Sequence, residues 1–203
     1  MQFPIDIRIL KAAYLCTSHE SVRYYLNGVC VQWDGAHLTA VATDGHRLIA
    51  FNLPYDKETF ADADKFSVII PNDIIKNWKV NNKLPTTILF DYVKGEPSDH
   101  CRMTADGTSV TFAPVDGVFP DWRRILPAEV SGEIAQFNTG YLDDFTRATK
   151  ILYGKERFIT VHHNGAGPAV IGMADGDEFE VMAVLMPRRD MEQGSYEKPA
   201  FCK

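Results

Sequence analysis

Val41-Ala42-Thr43-Asp44-Gly45-His46-Arg47-Leu48 joins two apolar runs through a tight Asp-Gly turn and sets His46 and Arg47 just beyond it. An Asp-Gly pair between β-rich flanks signals a hairpin, because glycine accepts the positive φ that such turns need. Alone it describes a surface turn. The same small-residue, Asp-Gly pattern returns at Thr104-Ala105-Asp106-Gly107 and at Met173-Ala174-Asp175-Gly176. Phe3, Phe66 and Phe137 precede the Asp of these turns by 41, 40 and 38 positions, which predicts three copies of one fold unit.

Each copy reads alike outward from its turn. In the first, a short strand at Phe3–Ile5 leads to an Asp6 N-cap and a helix with Ile7, Leu10, Tyr14 and Leu15 at helical spacing. Strands are predicted at 22–26, 29–33, 38–43 and 47–53, and Pro54 closes the unit. The second opens at Lys65–Ile70, continues through a Pro71-Asn72 start into a helix bearing Ile74, Ile75 and Trp78, and then gives strands at 87–93, 101–104 and 109–113. Gly95–Asp99 reads as an exposed loop. The third starts at Ala135-Gln136-Phe137, where Asn138 or Thr139 caps a helix carrying Leu142, Phe145, Ala148, Thr149 and Leu152, followed by strands at 158–162, 169–173 and 179–185.

One helix on a few antiparallel strands leaves open sheet edges, so each unit needs a neighbour. Residues 1–127 form a two-unit domain on this reading (1–54 and 65–127), 135–188 half a domain, and 189–203 a flexible tail. Between the second and third units, Val115 to Pro127 is too rich in turn residues for a core strand, and too aromatic and basic for an idle loop.

With 203 residues and 45% apolar content the chain can fill ordinary cores. A net charge of −6 argues against a surface that coats nucleic acid throughout, but leaves room for a local basic face. Four scattered cysteines without a Cys-x-x-Cys pair point to a reducing compartment and to no structural zinc. The first residues lack a signal-peptide layout and no apolar run has membrane-spanning length, so a soluble, cytoplasmic protein is expected, without membrane association.

Ser21-Val22-Arg23-Tyr24-Tyr25-Leu26-Asn27-Gly28, the 41–48 stretch, and Asp116-Gly117-Val118-Phe119-Pro120-Asp121-Trp122-Arg123-Arg124-Ile125-Leu126-Pro127 occur in that order. By these motifs the chain resembles the bacterial DNA polymerase III β subunit, the sliding clamp family. Residues 1 to about 127 look like that family's middle domain, and the unit ending Val184-Leu185-Met186-Pro187-Arg188 looks like the second half of its last domain. The resemblance implies an α+β DNA clamp fold with three helix-plus-antiparallel-strand units, and a non-enzymatic processivity factor that encircles duplex DNA without reading sequence. It also implies a tether for polymerase and other proteins with clamp-binding motifs. Family rings contain twelve units with helices inside and sheets outside, so three units per chain imply a homo-oligomer, a tetramer, in which adjacent chains meet like to like. The alternative is an adaptor or decoy that binds clamp-binding motifs without forming a ring.

Two surfaces follow. Cations at Arg8, Lys11, Lys76, Lys79, Lys83, Arg147, Lys150 and Lys155 lie on or after the three helices, and would neutralise phosphates if those helices line a channel. Arg23 and Tyr24 join them through the resemblance, as a cation and an aromatic face suited to nucleotides. The second surface, also carried by the resemblance, is a peptide-binding cleft of Leu26, Thr43, Gly45, His46, Arg47 and Leu48 with Val184, Met186, Pro187 and Arg188. A methionine lining suits several short motifs because it repacks readily. Catalysis is not expected: no nucleophile sits in a recognisable elbow, no paired carboxylates accompany His46, and no Gly-rich phosphate loop occurs. Adjacent His162 and His163 point to opposite faces of a strand and cannot readily share a metal, so no cofactor is expected.

Overall fold

The computed structural model describes residues 1–79, 87–95, 98–173, 178–188 and 201. Lys83, the third Asp-Gly turn and nearly all of the tail lie outside the described residues. The first unit comprises β1 (Gln2–Asp6), α1 (Ile7–Tyr14), β2 (Gly28–Trp33), β3 (Leu38–Thr43), β4 (Arg47–Leu53) and a short α2 (Lys57–Phe60). The second comprises β5 (Phe66–Pro71), α3 (Asn72–Asn77), β6 (Thr87–Val93), β7 (His100–Ala105) and β8 (Thr108–Phe112). The third comprises α4 (Thr139–Tyr153), β9 (Ile159–His162), β10 (Ala169–Met173) and β11 (Glu180–Leu185).

The strands form a four-stranded sheet, β1-β6-β7-β8, and a seven-stranded sheet, β5-β2-β3-β4-β11-β10-β9. All pairs are antiparallel. The first two units exchange their opening strands, since β1 crosses to β6 with Phe3 opposite Phe90, and β5 crosses to β2 with Phe66 opposite Trp33. Close strand approach depends on Gly28, where an added Cβ would lie 2.3 Å from the carbonyl oxygen of Ile70.

The third unit joins the first. Strand β11 pairs with β4 over six residues, from Glu180 opposite Asn52 to Leu185 opposite Arg47. The spatial order of units is therefore second, first, third, which differs from chain order. The helices follow it, with α1 between its neighbours: Arg8 Nη1 donates to Leu152 O at 2.8 Å on the α4 side and Lys11 Nζ to Lys76 O at 3.1 Å on the α3 side. Between two helices and a sheet, α1 buries Ile7, Ile9, Leu10, Ala12 and Ala13, well beyond an ordinary one-sided stripe. Asp6 caps it by accepting from the Arg8 N–H at 2.9 Å.

The helix-covered faces of both sheets share the main core. On the opposite face of the larger sheet a second cluster unites Leu26, Cys30, Val41, Leu48, Ile69 and Val184 with Phe119 and Trp122. The aromatic 115–127 stretch is thus a strap over the outer face of the first unit. Val115 N donates to Ile69 O at 2.9 Å, Arg123 Nη2 to Asp34 at 2.9 Å, and the Arg123 guanidinium lies 4.5 Å above the Trp122 ring. With its amide oxygen turned toward the strap, Gln32 accepts from Trp122 Nε1 at 2.9 Å.

Two local expectations are corrected. Residues 22–26 do not form a strand: Tyr24–Leu26 is a 3₁₀ turn, set by Leu26 N donating to Arg23 O and by Asn27 Nδ2 donating to Glu20 O. Helix α2 was not anticipated, although Asp56 caps it by accepting from the N–H groups of Glu58 and Thr59.

Candidate peptide cleft and helix face

The 41–48 hairpin differs from its second copy in a way that explains its special residues. In the second unit Ala105 faces Thr108 across a two-residue turn in which Asp106 and Gly107 have φ of +49° and +76°. In the first, Thr43 faces Leu48 and four residues lie between, so His46 and Arg47 are an insertion. Asp44 organises the wider loop by accepting from the N–H groups of His46 and Arg47 at 2.8 and 3.0 Å, while Gly45 takes φ of +90°. Thr43 Oγ1 donates to Arg47 O at 2.7 Å and accepts from Gly45 N at 3.0 Å.

The β4–β11 ladder brings the two halves of the sequence-predicted cleft together. Leu48 sits opposite Val184, both fully buried, with Leu26 in the same cluster. One residue past the ladder, Met186 N donates to His46 O at 2.8 Å. Beside this junction lies a cleft of about 570 Å³ lined by His46, Gln136, Phe137, Tyr141, Met186 and Pro187, among others. The sequence had not singled out Tyr141, whose ring stacks on His46 with centroids 5.9 Å apart and planes 19° apart. Thr139 and Asn138, read there only as helix caps, also line the cleft, as does Arg188.

Arg47 points away from solvent. Its guanidinium pairs with Asp144 of α4 and with Asp44 at 3.2 Å, and lies 4.5 Å above the Tyr141 ring. Burial works against its charge, but the neighbouring acidic groups prevail and raise its pKa. Arg47 therefore fastens the hairpin to the third unit, and Gly45 lies over Arg23, whose nearest side-chain nitrogen would be 2.4 Å from an added Cβ.

The predicted phosphate-binding residues fall into two sets. Arg8 is held by Asp6 at 2.6 Å and Glu178 at 2.7 Å, and Lys11 is partly desolvated against α3, which lowers its pKa. These two occupy the open stripe of the central helix but also link it to its neighbours. Lys76, Lys79, Arg147, Lys150 and Lys155 are exposed, with Arg147 bonded to Asp144 at 2.8 Å and Lys150 to Glu156 at 3.3 Å. Arg23 pairs with Glu20 at 2.9 Å, and Tyr24 is half exposed. Among the described residues no cluster of three metal-ligating side chains occurs, and no helix is long and apolar enough to cross a membrane.

Comparison with known proteins places these features. Residues 7–121 match the family described as DNA polymerase III beta subunit, central domain. The beta sliding clamp of Escherichia coli K12 is 33% identical over 125 residues, which are 59% of this chain and 31% of that protein. The Proteus mirabilis beta sliding clamp is 31% identical over 190 residues, 92% of this chain and 50% of the relative. The chain thus spans about a third to a half of the length of these relatives. The crystal structure of the Pseudomonas aeruginosa DNA polymerase III subunit beta superposes with a TM-score of 0.69 at 21% identity, over 93% of this chain and 66% of that one. A DnaN sliding clamp from Bartonella birtlesii bound to griselimycin superposes with a TM-score of 0.62 at 21% identity, over 93% and 66% of the two chains. These likenesses show a DNA clamp fold.

Proposed function

The chain belongs to the DNA polymerase III β-subunit family, and on that premise we propose that copies of it assemble into a cytoplasmic ring around duplex DNA that tethers replication proteins through the His46–Met186 cleft. It is a tether and not a catalyst. The observation that carries the reading is the β4–β11 junction. One ladder unites the His46-bearing hairpin and the Met186-Pro187 segment beside a cleft, and on the other face it sets α3, α1 and α4 in one layer. The helix layer presents Lys76, Arg147 and Lys150, with Lys155 just past the end of α4, exposed cations that suit phosphate contacts without base readout. With three units in 203 residues, a twelve-unit ring takes four copies.

Retention on DNA tests the ring. Loaded protein should stay on closed circular DNA and be lost on linearisation; equal retention on both forms would overturn encirclement. DNA affinity should also fall steeply with salt, with the slope reduced by about one for each exposed cation replaced by alanine.

A further inference from the structure

Taking the ring reading as its premise, we infer that the third unit is completed by a second copy of this chain, through exchange of the segment Ile134–Phe137 onto the free edge of β9. The precedent lies within the chain. Each opening strand of the first two units leaves its own unit and pairs with the strand after the neighbour's helix, β1 with β6 and β5 with β2.

The segment before α4 occupies the same place as β5. Val115, three residues past β8, donates its N–H to the carbonyl of Ile69, three residues ahead of α3. Arg188, three residues past β11, donates its N–H to the carbonyl of Gln136, three residues ahead of α4. Yet 134–137 belongs to no sheet, and β9 ends the seven-stranded sheet with no strand beyond it among the described residues. Gly132 N bonds His163 O at 2.9 Å and Gly165 N bonds Glu133 O at 2.8 Å, which fixes the approach to the segment, and Ala135 N donates to His163 Nδ1 at 3.2 Å, a side-chain bond that pairing with the partner's β9 would replace.

Apolar exposure falls at the same two places. Phe158, the residue before β9, is 98% exposed and Ile134 is 71% exposed. Along β9 no residue is fully buried, whereas the equivalent β2, flanked on both sides, buries all but Gln32. An open edge with exposed apolar side chains is a pairing site. A two-fold axis between two third units would let both copies exchange at once, an isologous interface. The copies would then meet third unit to third unit, leaving the β8 edges for the second kind of contact.

Sedimentation of the full chain over a range of concentrations, beside Phe158→Asp, tests this. Phe158 is exposed, so the variant should keep the melting temperature of the parent. The expected result is that Phe158→Asp halves the assembled mass, because this contact weakens at least about a hundredfold when residue 158 enters the interface twice. Amides of 159–162 and 134–137 should also gain exchange protection together as the parent assembles. An assembled parent whose mass is unaffected by Phe158→Asp, with no shared protection, overturns strand exchange and leaves the ring reading standing. A parent that is monomeric at every concentration also overturns exchange, and circular-DNA retention then judges the ring separately.

Discussion

Arg47, in the widened hairpin of the first unit, closes on Asp144, in the helix of the third, and this pair clamps the end of the β4–β11 ladder from the helix side. The side chain of Arg47 is 10% exposed and that of Asp144 19%. Replacing Arg47 with alanine strips Asp44 of its cation and leaves Asp144 only the exposed Arg147, and should cost about 2 to 3 kcal/mol, less than for a fully buried pair. Hydrogen exchange should show α4 losing protection before the first two units do. Lysine at this position should recover only part of the loss, since it lacks the planar fork.

The cleft is better probed at His46 and Met186 than at Arg47 or Leu48, which hold the fold. His46 is exposed and Met186 half buried, so His46→Ala and Met186→Ala should leave thermal stability nearly unchanged. On the proposed reading each should weaken binding of a clamp-motif peptide by about tenfold, as for residues central to a binding cleft. Calorimetric titration measures it, and unchanged affinity in both variants would remove the cleft assignment.

Gly28→Ala should destabilise the first two units together. The added methyl meets the Ile70 carbonyl and the Ile69 side chain, so the exchanged β5 must move outward. A cost of about 1 to 3 kcal/mol is expected in urea unfolding. Gly95→Ala, with open space around the added carbon, serves as the neutral comparison.

Acid should release the strap at Asp34. Partial burial opposes ionisation of Asp34, but the N–H groups of His37 and Ala36 and the Arg123 charge outweigh it and hold its carboxyl below the ordinary range. A depressed folded value contributes stability above the unfolded pKa, about 3.9, which is lost as pH falls through the folded value. The Trp122 indole N–H resonance should therefore shift below about pH 4. In Asp34→Asn that shift should be absent.

Much of this architecture was legible in the chain. The Asp6 and Asn138 caps, the apolar spacing of α4 and the two described Asp-Gly turns are local signals, and local hydrogen bonds carry them out. The strap was legible as something more than a loop, because Phe119 and Trp122 need a surface to bury against. The destination of each strand was not legible: Phe3 pairs with Phe90 and Leu48 with Val184, partners chosen by the joint burial of both sheets. The site divided in the same way. His46 and Met186 were readable through a motif, whereas the tie of Arg47 to Asp144 and the stacking of His46 on Tyr141 depend on how α4 docks.

The strap also explains how a chain written first, second, third can fold as second, first, third. It leaves the second unit, crosses the outer face of the first, and delivers α4 and β9–β11 to the far side. Its length is thus a topological requirement. A deletion within it would put the β4 edge of the same molecule out of reach and turn an intramolecular docking into a domain swap, with β11 of one copy seated on β4 of the next.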